Sequence, residues 1–230
     1  LDSKPEDFIK KINPIYKIIE NVKKSTKKNV IGFVGAPWTL MVYMLNKESP
    51  KKNFNFNKII KNGSSPNTLI KKLENTISLH INKQIEAGAD VIQIFDSWAG
   101  LLPKKDLARY CFEPTVNILK SINKNVPVIC FPRGIRNSYY DFCQTVKPKC
   151  ISIDYELKPD WVQKNLKDVC IQGGLDPKIL LTDKDNIIKN VKNYLKIFSK
   201  QPYIFNLGHG VLPETDPNMM DYLVKMVKDY

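Results

Sequence analysis

The sequence predicts an α/β fold, a (β/α)8 barrel with about six of its eight strands in this chain, and three observations carry that prediction. Six short apolar, β-branched runs recur along the chain, separated by longer segments with helical periodicity. Strands that alternate with helices pair in parallel. Polar residues then cluster after nearly every run, at Gly35-Ala36-Pro37, Asp96-Ser97-Trp98, Arg133-Gly134, Asp154, Asp176-Pro177 and Gly208-His209-Gly210. Chemistry spread over the ends of many strands is the habit of a barrel. An open nucleotide-binding sheet would carry GxGxxG or GxxxxGK, and neither occurs.

The expected strands are 30–34, 91–95, 126–131, 150–153, 169–172 and 203–207, and the expected helices between them are 68–86, 107–122, 161–166 and 186–198. Flanking helices are expected at 5–24 and 217–228, the last opened by Asp216 as N-cap with Pro217 at the first helical position. The Lys/Asn-rich stretch 47–65 reads as a solvated excursion before a helix. No linker interrupts the pattern, so residues 1–230 read as a single barrel domain. The chain starts at Leu1 rather than Met, and the two strands that would complete a barrel are expected N-terminal of this window.

At 230 residues and 43% hydrophobic, the chain is long enough to bury a core. No apolar run approaches the roughly 18 residues of a membrane span, and the first residues do not read as a signal peptide. The net charge of +13 raises the question of nucleic acid. Arginine occurs only at Arg109, Arg133 and Arg136, and the remaining basic residues are scattered lysines. Base and phosphate readers favour the bidentate arginine fork, so the charge points to a Lys/Asn-rich composition or a small anionic substrate, not to nucleic acid. Five cysteines, odd in number and without a CxxC pair, point to a reducing compartment, with no disulfide framework or zinc cage.

The chain has only two histidines. His209 sits between two glycines at the end of a strand, where the backbone can approach a ligand; a histidine bonded to its own loop is the alternative. His80 falls in a helical stretch and reads as structural or exposed. In GFVGAPWTLMVYML, Pro37 opens a helix and Tyr43 follows near its second turn. Helical side chains lean toward the N-terminus, which aims Tyr43 at the barrel mouth unless it is a core tyrosine. In IQIFDSWAG, Phe95 offers an apolar floor and Ser97 a donor. Asp96 reads as a cap of the next segment or as a mouth carboxylate. Asp154 and Asp176 are expected to hold their loops. Arg133 and Arg136 either meet carboxylates or form a solvated loop face. No HExxH or Cys/His cluster supports a metal.

The stretches GFVGAPWTLMVYM, IEAGADVIQIFDSWAG, CIQGGLDP and YIFNLGHGVLPETDP, in that order, together resemble uroporphyrinogen decarboxylase, from about Asn29 to the C-terminus. IQIFDSWAG is most similar to the cyanobacterial and plastid-type branch. The resemblance implies a (β/α)8 barrel that acts without a cofactor. Its substrate is the small molecule uroporphyrinogen, whose four acetate carboxyls are removed to give coproporphyrinogen in haem biosynthesis. It also implies a homodimer; together with the charge, cysteine and hydropathy readings above, the expectation is no membrane or nucleic-acid partner and a plastid or cytoplasmic location. Three substrate-contacting positions carry over: Tyr43 of PWTLM-x-Y, Ser97 after F-[DE], and His209 of NLGHG, with Tyr43 and His209 in catalytic roles.

The family's LDWT appears here as Ile153-Asp154-Tyr155-Glu156, and QGN-x-DP as Gln172-Gly173-Gly174-Leu175-Asp176-Pro177; both keep the aspartate. The arginine motif of RQAGRY type and the SDI aspartate are not in this window, which makes an inactive C-terminal portion or tetrapyrrole-binding relic the alternative reading. A zinc-dependent methyltransferase of the same fold is the rival enzyme. Its HxCG-type motif would fall where this chain reads Val128-Ile129-Cys130-Phe131, with no histidine.

Overall fold

A computed structural model describes residues 5–46, 50, 66–123 and 125–230. Most of the expected excursion at 47–65 lies outside the described residues. The chain divides into two compact units, Leu1–Pro148 and Lys149–Tyr230.

In the first unit, helices α1 (Pro5–Lys11) and α2 (Asn13–Ser25) precede strand β1 (Ile31–Gly35). The expectation of one helix over 5–24 is corrected to two, divided at Ile12. Pro14 has no N–H to donate to Lys10 O and its ring crowds that carbonyl, so one helix ends before it and α2 opens with it in the first turn. Helix α3 (Pro37–Asn46) and the long α4 (Pro66–Glu86) follow, then β2 (Val91–Asp96). β2 leads through short 3-10 turns to a π-helical turn (Ala108–Phe112) that continues into α5 (Glu113–Ser121). β3 (Val128–Pro132) and α6 (Tyr139–Val146) complete the unit.

β1 pairs in parallel with β2, Ile31 opposite Val91 through Gly35 opposite Phe95. β2 pairs in parallel with β3, Ile92 opposite Val128 through Asp96 opposite Pro132. The pleat sends Ile92 and Ile94 into the helix layer, where Trp38, Met41, Val42, Ile81, Ile118, Tyr139 and Phe142 are also buried. Each such large apolar side chain contributes about 1.5–3 kcal/mol relative to exposure.

On the other face, Phe33, Phe95 and Phe131 form a row across the three strands. The ring centroids of Phe33 and Phe95 lie 6.1 Å apart and edge to face, as do those of Phe95 and Phe131. Phe33 is 65% exposed.

The second unit repeats the alternation: β4 (Cys150–Ile153), α7 (Pro159–Asn165), β5 (Cys170–Gly173), α8 (Lys184–Phe198), β6 (Tyr203–Ile204) and α9 (Pro217–Lys228). β4 pairs in parallel with β5 from Cys150–Cys170 to Ile153–Gly173, and β5 with β6 at Ile171–Tyr203 and Gln172–Ile204. Ile151, Ile153, Ile171, Ile187, Val191 and Phe198 form its core. Asp216 caps α9 as expected, its carboxylate accepting from Asn218 N–H. Six parallel strands thus alternate with helices among the described residues, the expected α/β class. All five cysteines are free thiols. No described helix is long and apolar enough to cross a membrane.

Candidate active site

In the first unit, candidate site residues gather at the C-terminal ends of β1 and β2. β1 runs into α3 through Gly35-Ala36, and Ala36 N–H donates to Phe95 O at 2.8 Å, which fixes the start of α3 beside the end of β2. Pro37 opens the helix with its fixed φ. The first turn of α3 then grips the turn after β2. Trp38 Nε1 donates to Trp98 O at 2.8 Å, and Trp98 N–H donates to Thr39 Oγ1 at 3.1 Å. One turn further on, Tyr43 rests against the Trp98 ring, with centroids 6.1 Å apart and planes at 70°.

Tyr43 is 41% exposed, so the core reading of this tyrosine does not hold. It lines a cavity of about 880 Å³ walled mainly by Phe8, Phe33, Leu40 and Met44, with His80 also on the wall. Ser97 is half-buried at the same strand end, between Asp96 and Trp98. Phe95 lies in edge contact with Phe33 and Phe131.

Asp96 does not cap the next segment; the 3-10 turn after it has no side-chain cap. Its carboxyl points to the helix layer, 3% exposed, and Oδ1 accepts from Thr39 Oγ1 at 2.6 Å. Burial pushes this carboxyl up to about 6, against hydrogen bonds from Thr39 and the Cys111 thiol that favour the anion. The backbone ties continue to β3: Arg133 N–H donates to Asp96 O at 3.1 Å and Gly100 N–H to Arg133 O at 2.9 Å. A Cβ on Gly100 would stand 2.8 Å from Gly134 O, so only glycine permits this approach.

His80 is structural, one of the two readings its helical position gave. Tyr16 Oη lies 2.8 Å from its Nδ1, and Gln84 Nε2 lies 3.2 Å from its Nε2. Desolvation lowers its pKa. Gln84 also pairs with both backbone groups of Phe33.

The second unit holds His209. Leu207 forms a parallel bridge to Leu175, and Gly208 N–H donates to Leu175 O at 2.7 Å. The Gly208 backbone presses on the loop after β4: a Cβ there would meet Tyr155 N at 2.5 Å. Gly210 has open space around the same position. His209 is exposed between them, and its Nδ1 accepts from Gly210 N–H at 2.7 Å, which leaves the ring proton on Nε2. The loops beneath are held by their aspartates. Asp154 Oδ1 accepts from Glu156 N–H at 3.0 Å, and Asp176 Oδ1 from Lys178 N–H at 2.9 Å.

In the first unit Tyr43 rests on the Trp98 ring and Ser97 precedes Trp98 in the turn after β2, and in the second unit His209 stands at a strand end. Thr39 and Cys111 were not singled out by sequence, although Thr39 lies inside the PWT stretch. Among the described residues no group of three or more His, Cys, Asp or Glu side chains could hold a metal ion.

The sequence profile of the family described as Uroporphyrinogen decarboxylase (URO-D) matches residues 2–230. The chain belongs to the uroporphyrinogen decarboxylase family. Uroporphyrinogen decarboxylase of Rickettsia bellii is 38% identical to it over 227 residues, which are 96% of this chain and 66% of that protein. The Orientia tsutsugamushi (strain Boryong) protein of the same name is 39% identical, with the same two shares. The chain therefore spans about 66% of the length of these family members. Among solved structures, a B12-independent methionine synthase from Shewanella sp. W3-18-1 superposes with TM-score 0.67 at 9% identity, covering 93% of this chain and 64% of that one. At that identity the likeness is one of fold. It agrees with the α/β alternation of both units.

Proposed function

We propose that this chain carries out the uroporphyrinogen decarboxylase reaction, loss of the four acetate carboxyls of uroporphyrinogen to give coproporphyrinogen, without a cofactor. The observation that carries the reading is the strand end at which Tyr43, the Trp98 ring and Ser97 gather at the rim of the Phe33–Phe95–Phe131 row, in a chain of this family. An apolar aromatic floor suits the pyrrole rings, and a polar rim suits their carboxylate arms.

Decarboxylation breaks the bond between the carboxylate carbon and the side-chain methylene, and the electron pair left behind needs a sink. Protonation of a pyrrole α-carbon makes a cationic ring that accepts it, so the substrate supplies its own sink. The protein's part is to orient, to desolvate the departing carboxylate and to stabilise the charge that develops. In this reading the Tyr43 hydroxyl and Ser97 hydrogen-bond substrate groups above the floor. His209, with its proton on Nε2, meets a side-chain carboxylate. The net charge of +13 favours capture of a polyanionic substrate.

The same reading proposes a homodimer, checked by light scattering after gel filtration, and a plastid or cytoplasmic location, checked by imaging the tagged gene product. Activity is tested by anaerobic incubation of the native gene product with uroporphyrinogen, the products being separated by their number of carboxylates. Stepwise loss of carboxylates supports the decarboxylase. Tetrapyrrole binding by folded protein with no such loss overturns it in favour of a binding protein.

A further inference from the structure

The turn that carries Ser97 is held by a buried polar relay that the reaction itself does not use. Asp96 and Ser97 are neighbours, and the pleat sends their side chains opposite ways. Asp96 enters the helix layer, where it is 3% exposed, while Ser97 stays half-buried at the rim. Thr39, 4% exposed, stands between Asp96 and Trp98. Its hydroxyl has one proton to give, and gives it to Asp96 Oδ1 at 2.6 Å. The oxygen is thereby turned to accept Trp98 N–H, at 3.1 Å. Trp38 Nε1 holds the other backbone group of Trp98 at 2.8 Å. Both polar backbone groups of Trp98 are thus bonded to one turn of α3, on either side of the Cα that carries the ring against which Tyr43 leans and directly after Ser97.

A threonine hydroxyl left to rotate would as readily bond its own helix backbone. The carboxylate removes that choice, because a hydroxyl facing a buried acceptor at 2.6 Å donates to it. Without the relay, Trp98 N–H would be a part-buried donor without its Thr39 partner, and the turn would shift to find another. A displacement of about 1 Å at a catalytic strand end costs on the order of a hundredfold in rate.

We propose that Thr39 and Asp96 are positioning residues of the site: the Asp96 carboxylate orients the Thr39 hydroxyl to accept the Trp98 N–H, and this fixes the turn that presents Ser97 and the ring supporting Tyr43. The inference rests on the decarboxylase reading above. Neither residue touches substrate; both act through Trp98.

The test compares wild type, T39V, T39S, D96A and D96N of the native gene product by steady-state kinetics and by amide hydrogen exchange at Trp98. Valine keeps the shape of threonine and removes both hydrogen bonds; serine keeps both. T39V is expected to lower kcat about tenfold or more with KM within about twofold, and to speed Trp98 exchange at least about tenfold. T39S is expected to restore both. Wild-type kcat in T39V overturns the proposal, as does a loss in T39V that T39S shares. Should T39V fail to fold, D96A decides: it removes the acceptor of the Thr39 hydroxyl, so Trp98 exchange is expected to speed about tenfold, and unchanged exchange overturns the proposal. In D96N the carboxamide oxygen still accepts from Thr39, so its kcat is expected to fall by less than tenfold, with exchange nearly unchanged. A larger loss with unchanged exchange overturns the positioning role, because the carboxylate itself would then be acting. If wild type removes no carboxylate, the decarboxylase reading fails. Trp98 exchange in T39V then still decides the relay, and an unchanged rate overturns it.

Discussion

Gln84 acts on Phe33 as a neighbouring strand would: its Oε1 accepts from Phe33 N–H at 3.0 Å and its Nε2 donates to Phe33 O at 3.1 Å. The carboxamide comes from α4, the crossover helix between β1 and β2, and reaches the outer edge of β1 by passing over Gly32. A Cβ on Gly32 would stand 2.6 Å from Gln84 Oε1 and 2.9 Å from Ile92 Cδ1. Glycine at 32 and glutamine at 84 therefore form one device. It satisfies a strand edge that would otherwise present unpaired backbone.

Gln84→Leu removes both bonds at similar volume and leaves two part-buried backbone groups unpaired. It is expected to destabilise the chain by about 1–3 kcal/mol. Gly32→Ala is expected to have a similar effect, since its methyl displaces the carboxamide. Urea denaturation of each variant checks this, with the double variant distinguishing the two. If the residues act as one device, the double variant loses less than the sum of the single ones.

Asp96 predicts a pH dependence of stability. Its carboxyl is pushed up to about 6 in the folded chain, first by burial, from an ordinary value of 3.8. The groups facing it are Thr39 from α3 and Cys111 from the π-helical turn, whose thiol is raised well above its own ordinary value by burial and by Asp96. Between the two carboxyl values the folded chain holds more protons than the unfolded one, so stability falls as pH rises. The contribution is complete below about pH 4 and lost above about pH 6, and totals about 3 kcal/mol. His80, lowered by desolvation, acts in the opposite sense as pH falls. The difference between the wild-type and Asp96→Asn stability curves isolates Asp96. That difference is expected to slope across pH 4–6 and be flat above; a flat difference throughout would refute the assignment.

Tyr43→Phe deletes one hydroxyl and keeps the ring against Trp98. On the decarboxylase reading it is expected to lower kcat about tenfold, equivalent to about 1.4 kcal/mol, with an unchanged melting temperature. Steady-state kinetics beside a melting curve separate the two effects. Unchanged kcat and KM would remove Tyr43 from the reaction.

The two glycines around His209 predict opposite outcomes. Gly208→Ala drives a methyl to 2.5 Å from Tyr155 N and 3.0 Å from Asp154 C. Backbone on one side or the other must move, at about 1–3 kcal/mol, and His209 moves with it. Gly210→Ala meets nothing within 4 Å and is expected to be neutral in stability. Paired denaturation curves for the two variants check this contrast.

Much of this architecture was legible because buried parallel strands need β-branched runs, and their polar ends mark where the runs stop. The misreadings have local causes. Pro127 lacks an N–H, so β3 begins at Val128 and not at 126. The run expected at 203–207 pairs as strand only at Tyr203–Ile204. Asn206 Oδ1 takes the N–H of Leu207, and Leu207 rejoins by a single bridge to Leu175. The helix expected over 107–122 opens as a π turn, because Pro114 cannot donate four residues back. At the candidate site, the motifs singled out Tyr43, Ser97 and His209. Thr39 was not among them, because its meaning depends on Asp96, 57 residues away in sequence. Periodicity carries no record of such a pair.

The pleat of β2 has a consequence for how this chain can change over generations. Phe95 joins the phenyl row while Ile94 and Asp96 face the helices, so row and relay are written into alternate letters of one six-residue strand. Substitutions there can be absorbed one at a time. Deleting or inserting a single residue upstream within β2 would exchange the two faces, turning the phenyl ring into the core and the carboxylate toward the substrate. Length variation in this lineage should therefore be purged from 91–98 and accumulate elsewhere, a reading-frame constraint imposed by geometry instead of by codons.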